Sequence, residues 1–228
     1  MALHKQGPYH HGQLRQALID AALHLLAVRG IESLTLREVA RQAGVSHAAP
    51  YHHFADKSAL VEALVVESFQ ALATALHDAT RTSFGTAFEQ LIILGRVYVR
   101  FALEHPAAFR LMYRPELRQP SFLERQEQTA SPSPIDQAGL EAYQVLTNGV
   151  IACQQAGVIP PRDPAPLTLT AWCTIHGLTV LLLDGSPGNV FRGEQSLEDA
   201  DHLTSMVTQI LIHGLRTWQA EPAQIFPL

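Results

Sequence analysis

Cysteine is nearly missing from this sequence: 228 residues carry only Cys153 and Cys173. Neither has metal-ligand spacing and both sit in apolar surroundings. They read as small buried hydrophobes, and a disulfide or zinc framework is excluded. Uninterrupted apolar runs fall short of the roughly 18 residues a membrane span needs, and the opening MALHKQGPYHHG lacks the apolar stretch of a secretory leader. A cytoplasmic chain with no membrane partner is expected. Charged residues are only 16% and aromatics 7%. Also missing are a glycine-rich phosphate loop, a Gly-x-Ser-x-Gly elbow, an HExxH helix and an evident pair of facing carboxylates, so no enzyme chemistry is expected and no cofactor is implied. What is present, 47% hydrophobic residues with 14 Gly and 14 Pro, describes a globular chain with room for one large or two small domains.

Positive charge is scarce overall but unevenly placed. The chain carries a formal −5. Met1 to Leu60 holds six basic residues (Lys5, Arg15, Arg29, Arg37, Arg41, Lys57) against four acids (Asp20, Glu32, Glu38, Asp56), a net +2 that leaves −7 on the remainder. Seven of the 12 histidines (His4, His10, His11, His24, His47, His52, His53) lie in the same stretch. Any that protonate beside a polyanion add to its positive charge. A small positive module precedes a larger acidic one.

Helical periodicity runs through the chain. From Gln13 to Arg29, Leu14, Leu18, Ala21, Ala22, Leu25 and Val28 recur at helical spacing, and Gly30 stops the helix. Thr35 and Glu38 have the spacing of a capping box, which starts a second helix at Leu36; Gly44 ends it soon after Val39, Ala40 and Ala43. Ser46 is placed to cap a third helix, His47 to Phe54, with Pro50 disturbing its first turn. Two short helices across a glycine turn make a helix-turn-helix candidate. Asp56 caps a long helix to about Arg81. Further helices are predicted at about 86–104, 106–113, 134–156, 164–184 and 196–219, with Arg118 to Pro134 and Gly185 to Asn189 as loops. No strand-like alternation survives, and the fold class predicted is all-α.

The run from Gly30 through Thr35, Arg37, Glu38, Ala40, Gly44, Val45 and Ser46, followed by Tyr51-His52-His53-Phe54 and Asp56-Lys57-Ser58-Ala59-Leu60, closely resembles the DNA-binding region of TetR-family transcriptional regulators. Tyr9-His10-His11-Gly12 is similar to the family's lead-in. Trp172-Cys173-Thr174-Ile175-His176-Gly177 resembles a Trp-x-x-x-His-Gly run in one class of the family's C-terminal domains. The resemblance implies a homodimeric, ligand-released repressor. An N-terminal three-helix domain over 1–58 would bind a double-stranded DNA operator. Helix four, from about 56, would connect it to a helical ligand-sensing and dimerisation domain over 59–228.

The roles follow from side-chain chemistry within that frame. The DNA-binding candidates are Thr35, Arg37, Ser46, His47, Ala48, Ala49, Tyr51, His52, His53 and Lys57. His47, Ala48 and Ala49 begin the recognition helix and suit base edges and thymine methyls; by resemblance Arg37 reaches a guanine from helix two. Thr35, Tyr51, His53 and Lys57 suit phosphate oxygens. Phe54, Val39, Ala40 and Val45 read as core. His10, His11, His52 and His53 are disfavoured as a metal patch, because adjacent histidines do not converge on one ion and no carboxylate or thiol joins them. Tyr98, Phe101, Phe109, Met112, Tyr113, Tyr143, Trp172 and His176 are candidates to line a site for a small apolar effector, though helical core packing explains most of them equally well. Leu178, Val180, Leu181 and Leu182 in one helix, with Leu203, Met206, Val207, Ile210, Leu211 and Leu215 in the last, are candidates for the dimer bundle. The rival classes are an enzyme, for which no constellation is found, and a helical adaptor that binds protein.

Overall fold

The computed structural model describes residues 11–114, 132–185 and 196–217. Tyr9 and His10, most of the 118–134 segment, residues 186–189, and Trp218 and Gln219 lie outside the described residues. Those described form eight α-helices: α1 (His11–Arg29), α2 (Leu36–Gln42), α3 (Lys57–Thr82), α4 (Ala87–Glu104), α5 (Pro106–Met112), α6 (Pro134–Gln155), α7 (Pro164–Asp184) and α8 (Leu197–Thr217). Short 3₁₀ segments occupy Ile31–Ser33 and Ala49–His52, and the described residues include no strand. The all-α expectation holds. The chain divides into two compact units, Met1–Ala71 with His105–Leu140, and Leu72–Glu104 with Glu141–Leu228, so that α3 and α6 each contribute to both.

Local chemistry sets the helix ends. Thr86 and Glu89 close a reciprocal capping box at α4, the Thr86 Oγ1 accepting from the Glu89 N–H at 3.3 Å and the carboxylate accepting from the Thr86 N–H at 2.8 Å. Ser133 with Asp136 does the same for α6, and Ser196 with Asp199 for α8. Asp56 caps α3 by accepting from the Ala59 N–H at 2.9 Å. At the other end, Gly44 (φ 69°) and Gly157 (φ 69°) hold the left-handed residue of Schellman motifs. Val45 N–H donates to the Ala40 carbonyl, Gly44 N–H to Arg41, Val158 N–H to Cys153 and Gly157 N–H to Gln154.

In the first unit the buried stripe of α1 is Leu18, Ile19, Ala22, Leu25 and Leu26, packed with Leu34, Leu36, Val39, Ala40, Phe54, Leu60 and Leu64 in the core. Val28 departs from expectation at 65% exposed, because the stripe centres on Leu18, Ala22 and Leu25 and position 28 rotates away from it. Val45, expected in the core, is only half-buried at the turn. The second unit is built on a close approach of α4 and α8. A Cβ placed on Gly95 would stand 3.2 Å from Thr204 Cγ2 and 3.4 Å from Thr208 Oγ1. The buried hydroxyls of Thr204 and Thr208 bond to carbonyls one turn back in their own helix, so the interface holds no unpaired hydroxyl there.

Two helices, Lys57–Thr82 and Pro164–Asp184, are long and apolar enough to cross a membrane by length and composition, which the sequence reading did not anticipate. Half of that stretch of α3 is buried inside the protein and a third of that of α7. Cys153 is fully buried, and burial pushes its thiol up to about 11. Cys173, expected to be buried, is exposed, because it shares the outer face of α7 with Leu169, Val180 and Leu181.

The Gly95 contact generates a stability prediction. Gly95→Ala gains about 1 kcal/mol of helix propensity, but its methyl meets a Thr204 side chain locked by its own hydrogen bond, and overpacking costs roughly 1–3 kcal/mol. The clash wins. Urea unfolding followed by circular dichroism is expected to give a lower midpoint for Gly95→Ala than for the parent.

Candidate nucleic-acid interface and ring cluster

The candidate DNA-binding side chains gather on α2, the turn after it and the start of α3. Thr35 caps α2, its Oγ1 accepting from the Glu38 N–H at 3.1 Å. Only that half of the expected box forms. The Glu38 carboxylate turns instead to arginines, accepting from Arg41 Nε at 3.2 Å and Nη2 at 2.6 Å, and from Arg29 Nη1 at 3.5 Å. Hydrogen bonding from Arg41 holds the Glu38 carboxyl below the usual carboxylate range. In sequence Glu38 reads only as the capping-box partner of Thr35; its pairing with Arg41 was not anticipated, although their i, i+3 spacing on α2 carried the signal. Arg37 is exposed and makes no ion pair or hydrogen bond among the described residues.

The recognition helix differs from expectation in kind. A regular α-helix from His47 to Phe54 does not form; the segment is a 3₁₀ turn over Ala49–His52 that carries no side-chain cap. Ser46 contributes its backbone carbonyl, accepting from the Ala49 N–H at 3.0 Å, and not a capping hydroxyl. The cause is Pro50. In an α-helix its N–H would bond the Ser46 carbonyl; without that donor, Ala49 takes the carbonyl at i−3, Tyr51 N–H bonds Ala48 and His53 N–H bonds Pro50 in the same pattern. Pro50 itself is buried, which anchors the turn to the core.

The candidate residues on and around this tighter turn differ in exposure. Ser46, His47, Ala48, Tyr51, His52 and Lys57 are exposed with Thr35 and Arg37, while Ala49 and His53 are half-buried. Tyr51 is 60% exposed, which is large for a tyrosine with no partner to cover it. Lys57 Nζ donates to the Ile31 carbonyl at 3.1 Å, tying the start of α3 to the α1–α2 connection. The His53 ring lies beside Phe54, with centroids 6.4 Å apart, and the Arg15 guanidinium sits 5.8 Å from the Phe54 centroid.

The effector candidates fall into two groups, one in each unit. In the first unit Phe109 and Met112 are buried, and Tyr113 meets Phe109 at 5.0 Å and Phe69 edge-on at 5.8 Å. In the second unit Tyr143, Trp172, His176 and Tyr98 form a row. Tyr143 meets Trp172 edge-on at 6.3 Å, Trp172 lies 5.3 Å from His176, and the Tyr98 hydroxyl and His176 Nδ1 are hydrogen-bonded at 2.8 Å. Burial raises the phenol of Tyr143 above its usual range. Phe101 is buried in the same unit. At one edge of that unit Arg96 Nε donates to Ser205 Oγ at 2.7 Å, and Arg100 pairs with Asp201.

The apolar residues expected at a dimer interface divide by exposure. On α7 Leu178 is buried, Leu182 half-buried, and Val180 and Leu181 exposed. On α8 Met206 and Ile210 are exposed, the latter at 65%, while Leu203, Val207, Leu211 and Leu215 are half-buried.

Residues 18–64 match the family of bacterial regulatory proteins, tetR family, and residues 91–208 match the tetracyclin repressor-like C-terminal domain. The HTH-type transcriptional regulator BetI of Rhizobium meliloti is 36% identical over 105 residues, 43% of this chain and 50% of its own length. Tetracycline repressor protein class D of Escherichia coli is 32% identical over 115 residues, 49% of this chain and 51% of its own. The chain thus aligns with about half the length of these relatives. A solved structure of a protein of unknown function from Rhodococcus sp. RHA1 superposes with a TM-score of 0.71 at 32% identity, covering 93% of this chain and all of that one. The fold is shared with the transcriptional regulator FadR of Bacillus subtilis in complex with stearoyl-CoA, at a TM-score of 0.64 and 20% identity over 87% of this chain and 98% of that one. With both its helix-turn-helix region and more than half of its length matched, the chain belongs to the TetR family of DNA-binding transcriptional regulators.

Proposed function

We propose that the protein is a repressor that binds a pseudo-palindromic operator as a homodimer and is released by a small apolar effector. The observation that carries the reading is the exposed row of Arg37, His47, Ala48, Tyr51 and His52 on a short α2 and a proline-tightened turn. Function divides near residue 58. The residues before it read DNA, those from 59 onward sense and dimerise, and α3 is the connector. As a DNA-binding regulator with half the apolar stretch of α3 buried inside the chain, it acts in the cytoplasm and not in a membrane.

Arg37, His47, Ala48 and Ala49 are the base-reading residues, and Thr35, Ser46, Tyr51, His52, His53 and Lys57 hold or contact the backbone. His47→Ala and Arg37→Ala are expected to change which sequences the protein selects from a random duplex library. Lys57→Ala and Tyr51→Phe are expected to weaken all duplexes alike, the lysine flattening the salt slope by about one unit. A Lys57→Ala variant with altered base preference and an unchanged slope reverses these roles.

The homodimer forms through the outer faces of α7 and α8. Leu169, Val180, Leu181, Met206 and Ile210 are exposed in the single chain, and Cys173 lies on the same side of α7. A symmetric pairing covers such a face twice over, and two-fold symmetry matches a palindromic site. Ile210→Glu places a charge on this face without disturbing the buried core. It is expected to yield monomers in analytical ultracentrifugation and to make Cys173 react faster with a thiol reagent than in the parent; parent-like sedimentation excludes this interface.

The effector site is the ring row of the second unit. Tyr143, Trp172 and Phe101 supply the apolar lining, and Tyr98, His176 and Tyr143 the polar groups. A fold neighbour binds stearoyl-CoA, whose long acyl chain is the kind of apolar group such a lining suits. Coupling of about 1–3 kcal/mol weakens operator affinity roughly 5- to 150-fold on ligand binding, and the operator weakens ligand binding by the same factor. Apolar compounds that raise the melting temperature are expected to release operator DNA and to lose both effects in Trp172→Ala. Stabilising compounds that leave operator affinity untouched show that the row is not the switch.

A further inference from the structure

We propose that Glu38 sorts the arginines of the DNA-binding surface, holding Arg41 and Arg29 in ion pairs so that Arg37 is the arginine α2 offers to the duplex. The capping chemistry is the first sign. At α4, α6 and α8 the acid three residues past the cap returns a hydrogen bond to the cap's own N–H. At α2 the acid is present at the same spacing and Thr35 makes its half of the box, yet the carboxylate gives that bond up and takes two guanidinium groups.

The placement of the arginines gives the arrangement its consequence. Arg37 and Arg41 are four residues apart on α2, so they share one face, a turn apart, and both are exposed. A second unpaired guanidinium beside Arg37 would take any phosphate within reach. It would add affinity that carries no sequence information, and specificity is the ratio of operator to random-sequence binding. Exposed ion pairs are weak, so Glu38 acts as a bias against that contact and not as a lock. The bias is centred on one carboxylate oxygen that both arginines share.

The inference rests on the reading of Arg37 as a base contact, and the variants separate the two ideas. The probes are a random-sequence duplex and a duplex selected from a random library by the parent protein, each titrated across salt concentration. Glu38→Gln keeps the Thr35 cap, which uses the backbone N–H of residue 38. It is expected to bind the random duplex several-fold more tightly, with a salt slope steeper by about 0.9 for each arginine that gains a phosphate, and to discriminate less between the two probes. The triple variant Arg29→Ala/Glu38→Gln/Arg41→Ala is expected to return to the parent slope; an equal steepening there means that Glu38 only repels DNA and overturns the proposal. In the otherwise unaltered chain Arg41→Ala is expected to leave the random-duplex slope unchanged, and a loss of about 0.9 overturns the proposal without any need for Glu38→Gln to fold. An Arg37→Ala variant with unaltered sequence preference removes the base-contact reading alone.

Discussion

The candidate DNA-binding surface depends on α2 having a fixed start and a fixed end. Thr35 sets the first residue by accepting from the Glu38 N–H, and Gly44 sets the last by taking the left-handed geometry that Val45 and its own N–H then lock. Seven helical residues lie between them. One residue more would rotate the exit of the helix by about 100° and carry Ser46, His47 and Ala48 to another side of the unit. A glycine is favoured at the stop, because φ of 69° strains most side chains with a Cβ. Arg37 and the 47–52 turn face solvent together because these two local constraints agree with the burial of Leu36, Val39 and Ala40 beneath them.

What was legible in the sequence is what local chemistry decides. Thr35 and Asp56 announce helix starts because their side-chain oxygens satisfy amides only a few residues away, and α2 and α3 begin directly after them. Pro50 was legible as a disturbance but not in its consequence; choosing between a kinked α-helix and a 3₁₀ turn required knowing that its ring would be buried. Val28 and Cys173 were misjudged for the same reason. Hydrophobic spacing names a stripe, but which edge of the stripe meets the core is settled by packing partners far away in sequence. The Glu38 contact with Arg29 joins two helices, and the separation of Phe109 and Tyr113 from Tyr143 and Trp172 reflects a division into units that no periodicity records.

The second unit shows how a helical core accommodates hydroxyls. Thr168, Thr179, Thr204, Ser205 and Thr208 are all buried, and each hydroxyl bonds to a carbonyl four residues back. Each is satisfied within its own helix, so no water is needed at the interface and small side chains let α8 approach Gly95. Polar contacts between the helices gather at the edge, where Arg96 and Arg100 reach Ser205 and Asp201. This leaves α7 with more apolar surface than its own unit covers. Its mean hydropathy would suit a lipid environment, but its outer face also carries Thr170 and Asp184, which belong at an aqueous or protein boundary.

Charge is the currency the DNA-binding region has least of. A net +2 over its first 60 residues is small for a surface that must approach a polyanion, and the two arginines held by Glu38 reduce what is available further. Sequence-independent affinity grows with the number of phosphates neutralised, so a single copy of this surface gains little from the backbone alone. Two consequences follow from that weakness. A single copy of this surface gains little from phosphates alone, and the homodimer proposed above would double the contacts without changing either surface. The same weakness limits competition from random DNA and leaves discrimination to whichever groups reach base edges. An acidic remainder of −7 works in the same direction, repelling duplex that is not aligned with the helix-turn-helix face.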